Sequence, residues 1–195
     1  MSQKKEPLKP LTTIQVSLDN WFVRNLFKIK TALRIVFGIM WGIDGALKFV
    51  PGTVDGVVSM INSAGQSQPS WLLPWFNFWS AAVASNPSLF VYSTGTFELL
   101  ISFGLIFGFL RKITYTASFL LGLVIWSVPE GFGGPYGAGS TDIGTGIVYA
   151  IVSIFLLLMN GTFDTSKYSL DYYIESKISW WKRLAEIRSE SSKIR

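Results

Sequence analysis

The chain has 195 residues, of which 49% are hydrophobic and only 15% charged, and its mean hydropathy is +0.38. An ordinary soluble domain carries about a quarter charged residues, so the composition points to a membrane protein. Neither Cys nor His occurs, which excludes a disulfide, a thiolate nucleophile, an iron–sulfur cluster, imidazole-ligated haem and a His-based zinc site. Carboxylates, Lys, Arg, Tyr and Trp remain, and these can move protons, bind anions or hold a quinone.

Residues 1–30 carry six basic residues, Lys4, Lys5, Lys9, Arg24, Lys28 and Lys30. The stretch LDNWFVRNLFKIK mixes them with aromatics as an interfacial helix does. No apolar run ending in a small-residue cleavage site precedes residue 30, so no cleavable signal peptide is expected there.

The first span is placed at 31–50, TALRIVFGIMWGIDGALKFV. A hydrocarbon core takes roughly 20 helical residues. On a helical wheel Arg34, Gly38, Trp41, Asp44, Gly45 and Lys48 share about a third of the circumference, with the Ile, Val, Phe and Leu residues elsewhere. Arg34 and Lys48 lie near the two ends, where their head groups snorkel outward. Asp44 lies roughly 9 Å below the outer end. A charge there costs on the order of 2.5–3.5 kcal/mol on insertion scales. The span's nine Leu, Ile, Phe and Val residues return roughly 3–5 kcal/mol on the same scale. Neighbouring helices must therefore shelter this one.

The outer loop, 51–87, holds TVDGVVSMINSAG, a candidate short interfacial helix. After it comes PSWLLPWFNFWSAAVASNP, in which Trp71, Trp75 and Trp79 recur at i, i+4 and i+8. A helix lying on the outer surface is predicted, either as an aromatic belt that anchors the loop or as a lid over a hydrophobic substrate.

The second span is placed at 88–110, with Glu98 at a depth similar to that of Asp44 and with Thr94, Gly95 and Ser102 on the same face. The third span, 113–129, follows the Arg111-Lys112 pair and ends at Pro129. The fourth is placed at 142–160. Together they give an all-α membrane protein, a four-transmembrane-helix bundle over 31–161, with interfacial helices in the first outer loop and at both termini.

No Lys or Arg lies between Lys48 and Arg111, or between Lys112 and Lys167, and seven lie from Lys167 onward. Because cytoplasmic flanks retain positive charge, both termini and the 111–112 turn are placed in the cytoplasm, and loops 51–87 and 130–141 outside. The chain is thus a multi-pass protein of the cytoplasmic (plasma) membrane. Its net charge of +5 reads as topology and contact with anionic lipid, with no nucleic acid implied. The 162–195 segment, with LDYYIESKISWWKRLAEIRSE, is predicted as a cytoplasmic amphipathic tail.

Two groupings carry candidate chemistry. Asp44, Lys48 at i+4 and Glu98 form a half-buried cluster in the outer half of the bundle. It serves either as polar glue between helices or as a functional site. The loop PEGFGGPYGAGSTDIG places Ser140, Thr141 or Asp142 at the cap of the fourth span. Its free N–H groups suit a small anion, and a flexible turn with a capped helix start is the alternative. It lacks the Lys and the preceding strand of a P-loop.

LRIVFGIMWGIDGALKF, Glu98, and PEGFGGPYGAGSTDIGTGIVYAIV running into the fourth span resemble DoxD, the small membrane subunits of thiosulfate:quinone oxidoreductase within the broader DoxX-like family. The resemblance covers about residues 30 to 160. It implies an enzyme subunit of the respiratory chain of sulfur-oxidising archaea, one that takes electrons from thiosulfate, yields tetrathionate and reduces a membrane quinone. A second, DoxA-like subunit is implied as partner, with other respiratory-chain subunits as further ones. Arg34, Asp44, Lys48 and Glu98 would form the catalytic site, with Lys48 as the anion's countercharge and Glu98 or Asp44 as proton acceptor. Gly134, Gly137, Gly139 and Ser140 would form the substrate-binding outer turn. Trp41, Trp75 and Trp79 are the quinone-site candidates. Quinone is the expected electron acceptor, with no haem, iron–sulfur, zinc or other metal site within the chain. Two alternatives belong to other classes: a non-catalytic structural subunit of a terminal-oxidase complex, and a sulfur-oxyanion transporter.

Overall fold

Nothing between Thr13 and Leu47 breaks a helix: the stretch has no proline, and its glycines fall on one side, at 38, 42 and 45. In the computed structural model, which describes residues 13–66, 68–134, 142–162 and 167–187, this stretch is one continuous helix, α1 (Thr13–Leu47). The interfacial helix expected within 1–30 is thus, from Thr13 on, the same rod as the first span. The chain is all-α, with no strand among the described residues.

After α1 a tight turn closes through Lys48 N–H to Gly45 O (3.2 Å), and Gly52 adopts φ +90°. The 51–87 segment then forms two helices, α2 (Thr53–Gln66) and α3 (Leu73–Ser85). Ile61 on α2 and Phe76 and Val83 on α3 bury against Val128, making a small apolar core of their own. A Cβ at Gly65 would lie 2.9 Å from Phe76 Cβ, so only glycine lets these two helices close this far.

Helix α4 (Pro87–Phe107) starts with Pro87 in its first turn, and the Asn86 side chain accepts the Leu89 N–H at 3.1 Å. It ends three residues before the expected 110, because Gly108 turns left-handed (φ +65°). A three-residue reversal leads into α5 (Arg111–Ser127), and α6 (Thr145–Thr162) follows the glycine-rich loop. The tail forms two short helices, α7 (Leu170–Glu175) and α8 (Lys182–Ala185).

Two close helix pairs build the bundle, α1 with α4 and α5 with α6. Small residues allow both. A Cβ at Gly42 would lie 2.8 Å from Ser102 Oγ, and one at Gly146 2.7 Å from the Gly122 carbonyl. Close backbone approach over small residues is the packing mode of helices that gain nothing from burying apolar surface against lipid.

The side-chain distribution is partly inverted relative to a water-soluble bundle, with polar groups inside beside the apolar core and many large apolar ones outside. Arg34, Glu98, Ser102, Ser118 and Ser153 are buried among Phe37, Trp41, Leu105 and Leu156. Val36, Ile43, Phe97, Leu100, Leu120, Ile151 and Leu158 face outward. By length and composition, one helix among the described residues, Pro87–Phe107, is long and apolar enough to cross a membrane. The others fall short for identifiable reasons. Lys30, Arg34 and Asp44 interrupt the apolar part of α1; α5 has 17 residues and begins with Arg111-Lys112; the apolar part of α6 spans Thr145–Gly161.

Candidate functional site

Three polar groupings occupy the bundle, one at the end where α1 meets α2, one at the start of α6, and one at the opposite end. The first contains the sequence-predicted cluster. Lys48 follows the last turn of α1, one turn beyond Asp44, and Gly95 on α4 lets its side chain lie flat: a Cβ there would sit 2.7 Å from Lys48 Cβ. The Lys48 ammonium stands 3.5 Å from Glu98 Oε2 and 3.4 Å from the Asp44 carbonyl oxygen. Glu98 is fully buried, and its carboxylate accepts no hydrogen bond from the described residues.

Asp44 is held by a residue that sequence reasoning missed. Tyr149 on α6 donates its hydroxyl to Asp44 Oδ2 at 2.7 Å, and its ring meets Trp41 and Phe37 edge-on at 5.0 and 5.3 Å. A single tyrosine in an apolar run has no periodicity to mark it; its one signal is a phenol where a transmembrane pattern favours aliphatic residues.

Beside this cluster lies a cavity of about 510 Å³ between the end of α1 and helices α2, α3, α4 and α5. Val57, Met60, Val83, Phe90 and Val124 typify its walls, Trp79 closes one side, and Lys48 and Glu130 are its charged members. An apolar chamber with a few convergent polar groups suits a lipophilic molecule with a polar head.

The quinone candidates separate here. Trp79 lines the cavity. Trp75 stands beside it and donates its indole N–H to the Ser127 carbonyl at 3.0 Å. Trp41, at 0% exposure, is buried in the bundle core with Phe37 and Tyr149.

Glu130 also explains the second grouping. Its carboxylate takes the backbone N–H of Thr145 (3.2 Å) and of Gly146 (2.9 Å), and the Thr145 hydroxyl as well. The helix start expected to receive a substrate anion therefore holds the chain's own carboxylate, which satisfies the same N–H groups and the same dipole. Asp142 Oδ1 accepts the Gly144 N–H at 2.7 Å, a local turn ahead of the helix. Gly134 closes the preceding turn through its N–H to the Gly131 carbonyl at 3.1 Å. Gly137, Gly139 and Ser140 lie outside the described residues.

The third grouping separates Arg34 from the catalytic site that the resemblance implies. Ten residues from Asp44 on α1, it lies roughly 15 Å further along the axis. Its Nη2 donates to the Tyr168 carbonyl at 2.8 Å, beside Gly108 and Ser169. Arg34 thus belongs to the opposite end of the bundle and not to the Lys48–Glu98 cluster.

Next to it Arg111, 2% exposed, meets Asp171 at 2.9 Å, Glu175 at 3.1 Å and Glu186 at 3.7 Å. Asp171 accepts four hydrogen bonds: from the backbone N–H of Leu110 and Arg111, from Arg111 Nε and from Trp181 Nε1. It thereby caps α5 from 60 residues away. Lys30 donates to the Met159 carbonyl at 3.1 Å. Burial, and then the cations Arg111 and Arg34, hold its ammonium at a pKa of about 8.

Set against protein families, curated proteins and solved structures, the chain finds no match. Its function is therefore argued from these sites together with the resemblance its sequence carries.

Proposed function

We propose that the chain is a four-span membrane subunit of a thiosulfate:quinone oxidoreductase of the DoxD kind, with its quinone held in the chamber beside Lys48. The observation that carries this reading is an apolar cavity of about 510 Å³ lined by Lys48, whose ammonium stands 3.5 Å from buried Glu98 and one turn beyond the Asp44–Tyr149 pair. The spans α1, α4, α5 and α6 are supported by the partly inverted side-chain distribution. Helices α2 and α3 cover the outer end, and both termini and the α4–α5 turn lie on the cytoplasmic side, where the basic residues collect.

The chemistry balances as follows. Two thiosulfate ions lose two electrons and join through a new S–S bond to give tetrathionate, and the quinone takes up two electrons and two protons. Lys48, whose side chain is about one-third exposed toward the chamber, donates to the quinone's carbonyl oxygen and balances charge that develops there. Glu98 and the Tyr149–Asp44 pair are the groups placed to pass protons. With Glu130 on the α6 start, the sulfur anion is assigned to the partner side, and electrons reach the chamber from a DoxA-like subunit. A chain without Cys or His has no ligand set of its own for an iron–sulfur or haem relay.

The test is thiosulfate-dependent quinone reduction in membranes holding the chain and its partner subunit, with Glu98→Gln and Lys48→Met compared with wild type at equal protein levels. Both variants are expected to lose most turnover. Full activity in both, or none in correctly folded wild type, overturns the proposal.

A non-catalytic role in a terminal-oxidase complex is favoured by one observation: Glu130 satisfies the anion-binding turn from within. Tight co-purification with haem subunits, without thiosulfate activity, is its signature.

A further inference from the structure

The tail from Lys167 to Ile187 sorts its charges. Its three described acids, Asp171, Glu175 and Glu186, all turn inward to Arg111. Its four bases, Lys167, Lys177, Lys182 and Arg183, are all exposed, and none lies within ion-pair distance of a carboxylate among the described residues. By sequence this segment has a net charge of only +1, four bases less three acids. Folded, its exposed charges are all cations, joined by exposed Lys112, whose ammonium donates to the Arg183 carbonyl at 3.2 Å.

Aromatic rings are exposed alongside them. Tyr172, Tyr173 and Trp180 are each about half exposed, whereas Trp181 turns inward to Asp171. Amphipathic rings of this kind settle at the headgroup level of a bilayer.

The tail is also fixed in height relative to the bundle. It is tied to α1 by Arg34 through the Tyr168 carbonyl and to α6 by Asn160 through the Ala185 carbonyl. The Asp171 N–H, donating to the Gly108 carbonyl, ties it to the end of α4. These are the ends of the helices read as spans, so the tail lies at the cytoplasmic rim of the bundle.

We infer that the outer face of this tail is a docking surface for anionic phospholipid headgroups of the inner leaflet. The inference rests on the four-span reading, and it assigns the Arg111 cluster a second consequence: by taking the tail's carboxylates inward, it leaves the face toward the membrane positive. Attraction of this sort is screened by salt and grows with the number of anionic lipids.

The absence of cysteine makes the test direct. Exposed Ser176, between Tyr173 and Lys177, is replaced in the full chain (Ser176→Cys) and labelled with an environment-sensitive dye. The protein is then reconstituted into vesicles of phosphatidylcholine alone or with phosphatidylglycerol. Phosphatidylglycerol should shift the dye emission to the blue, added salt should reverse the shift, and the combined changes Lys177→Gln, Lys182→Gln and Arg183→Gln should abolish it.

A second label at Ile151→Cys, on the outward face of α6, reports the span itself and should read an apolar environment in both lipids. An unresponsive Ser176 label with an apolar Ile151 label overturns the lipid proposal alone. A water-exposed Ile151 label overturns the four-span reading. A Ser176 label moved by an added acidic polypeptide but not by phosphatidylglycerol overturns the lipid proposal in favour of a protein partner.

Discussion

Replacing Arg111 by Met tests how the end of the bundle beside Arg34 is held. The side chain is 2% exposed, and Met keeps much of its volume while removing the charge and every donor. Left behind are Asp171 at 0% exposure and the Glu175 and Glu186 carboxylates at 7% and 16%. Breaking a buried ion pair by deleting one partner costs about 3–5 kcal/mol, because the remaining charge stays desolvated. Asp171 keeps its bonds from the Leu110 and Arg111 backbone and from Trp181, so the loss should fall within that range and not above it. At about 2–4 °C per kcal/mol for a chain of this size, the expected fall in melting temperature is roughly 6–20 °C.

The assay is thermal unfolding of the purified full chain in detergent micelles, followed by tryptophan fluorescence. Trypsin digestion beforehand, under native conditions, provides a second readout. The bases of the tail should become cleavable sites before the bundle melts, since the tail loses its anchor to α5 first. A melting temperature within about 2 °C of wild type, equivalent to less than about 1 kcal/mol, together with an uncut tail, would refute the reasoning.

The α1–α4 contact predicts that Gly42→Leu, forced against Ser102 Oγ, lowers the melting temperature by the equivalent of about 1–3 kcal/mol. Ile43→Leu on the outward face should leave it unchanged. Glu130→Ala removes the cap of α6 and should cost about 0.5–2 kcal/mol in the same assay, with faster amide exchange at Thr145 and Gly146. Lys30 supplies a pH signature. Its folded pKa of about 8 lies below the ordinary 10.5, so between these values the unfolded chain binds the extra proton and stability rises with pH. The difference in melting temperature between wild type and Lys30→Met should therefore move in favour of wild type from pH 8 to pH 10, and a constant difference would count against it.

What is legible in the sequence follows from interaction range. Apolar runs place the helices because hydropathy is a local property, yet their ends shift where one backbone angle intervenes, as at Gly108. The Lys48–Glu98 contact is legible because matched depth narrows where two charges meet. Arg34's separation from Asp44 is legible too, ten residues at about 1.5 Å each along one helix; only the resemblance brings it into the same site. The Arg111 cluster is invisible: its partners lie 60 to 75 residues away, in a tail whose acids look like ordinary amphipathic spacing. Glu130 is hidden for the same reason, since its targets lie 15 and 16 residues downstream, beyond a loop of glycines.

The two charged clusters differ in how fully they are satisfied, and this separates a structural role from a functional one. Asp171 takes four hydrogen bonds, one of them from a guanidinium, whereas Glu98, equally buried, takes no hydrogen bond from the described residues and faces a single ammonium at 3.5 Å. A saturated network rigidifies, and an unsaturated buried carboxylate is a cost that folding alone would not retain. Removing the Glu98 charge should therefore leave the protein as stable as wild type or more so, since Lys48, about one-third exposed, can swing its ammonium outward. If the proposed function holds, Glu98→Gln is expected to lose quinone reduction while unfolding at or above the wild-type temperature, whereas Arg111→Met unfolds below it. A Glu98→Gln protein that melts several degrees lower would instead assign this carboxylate to the architecture.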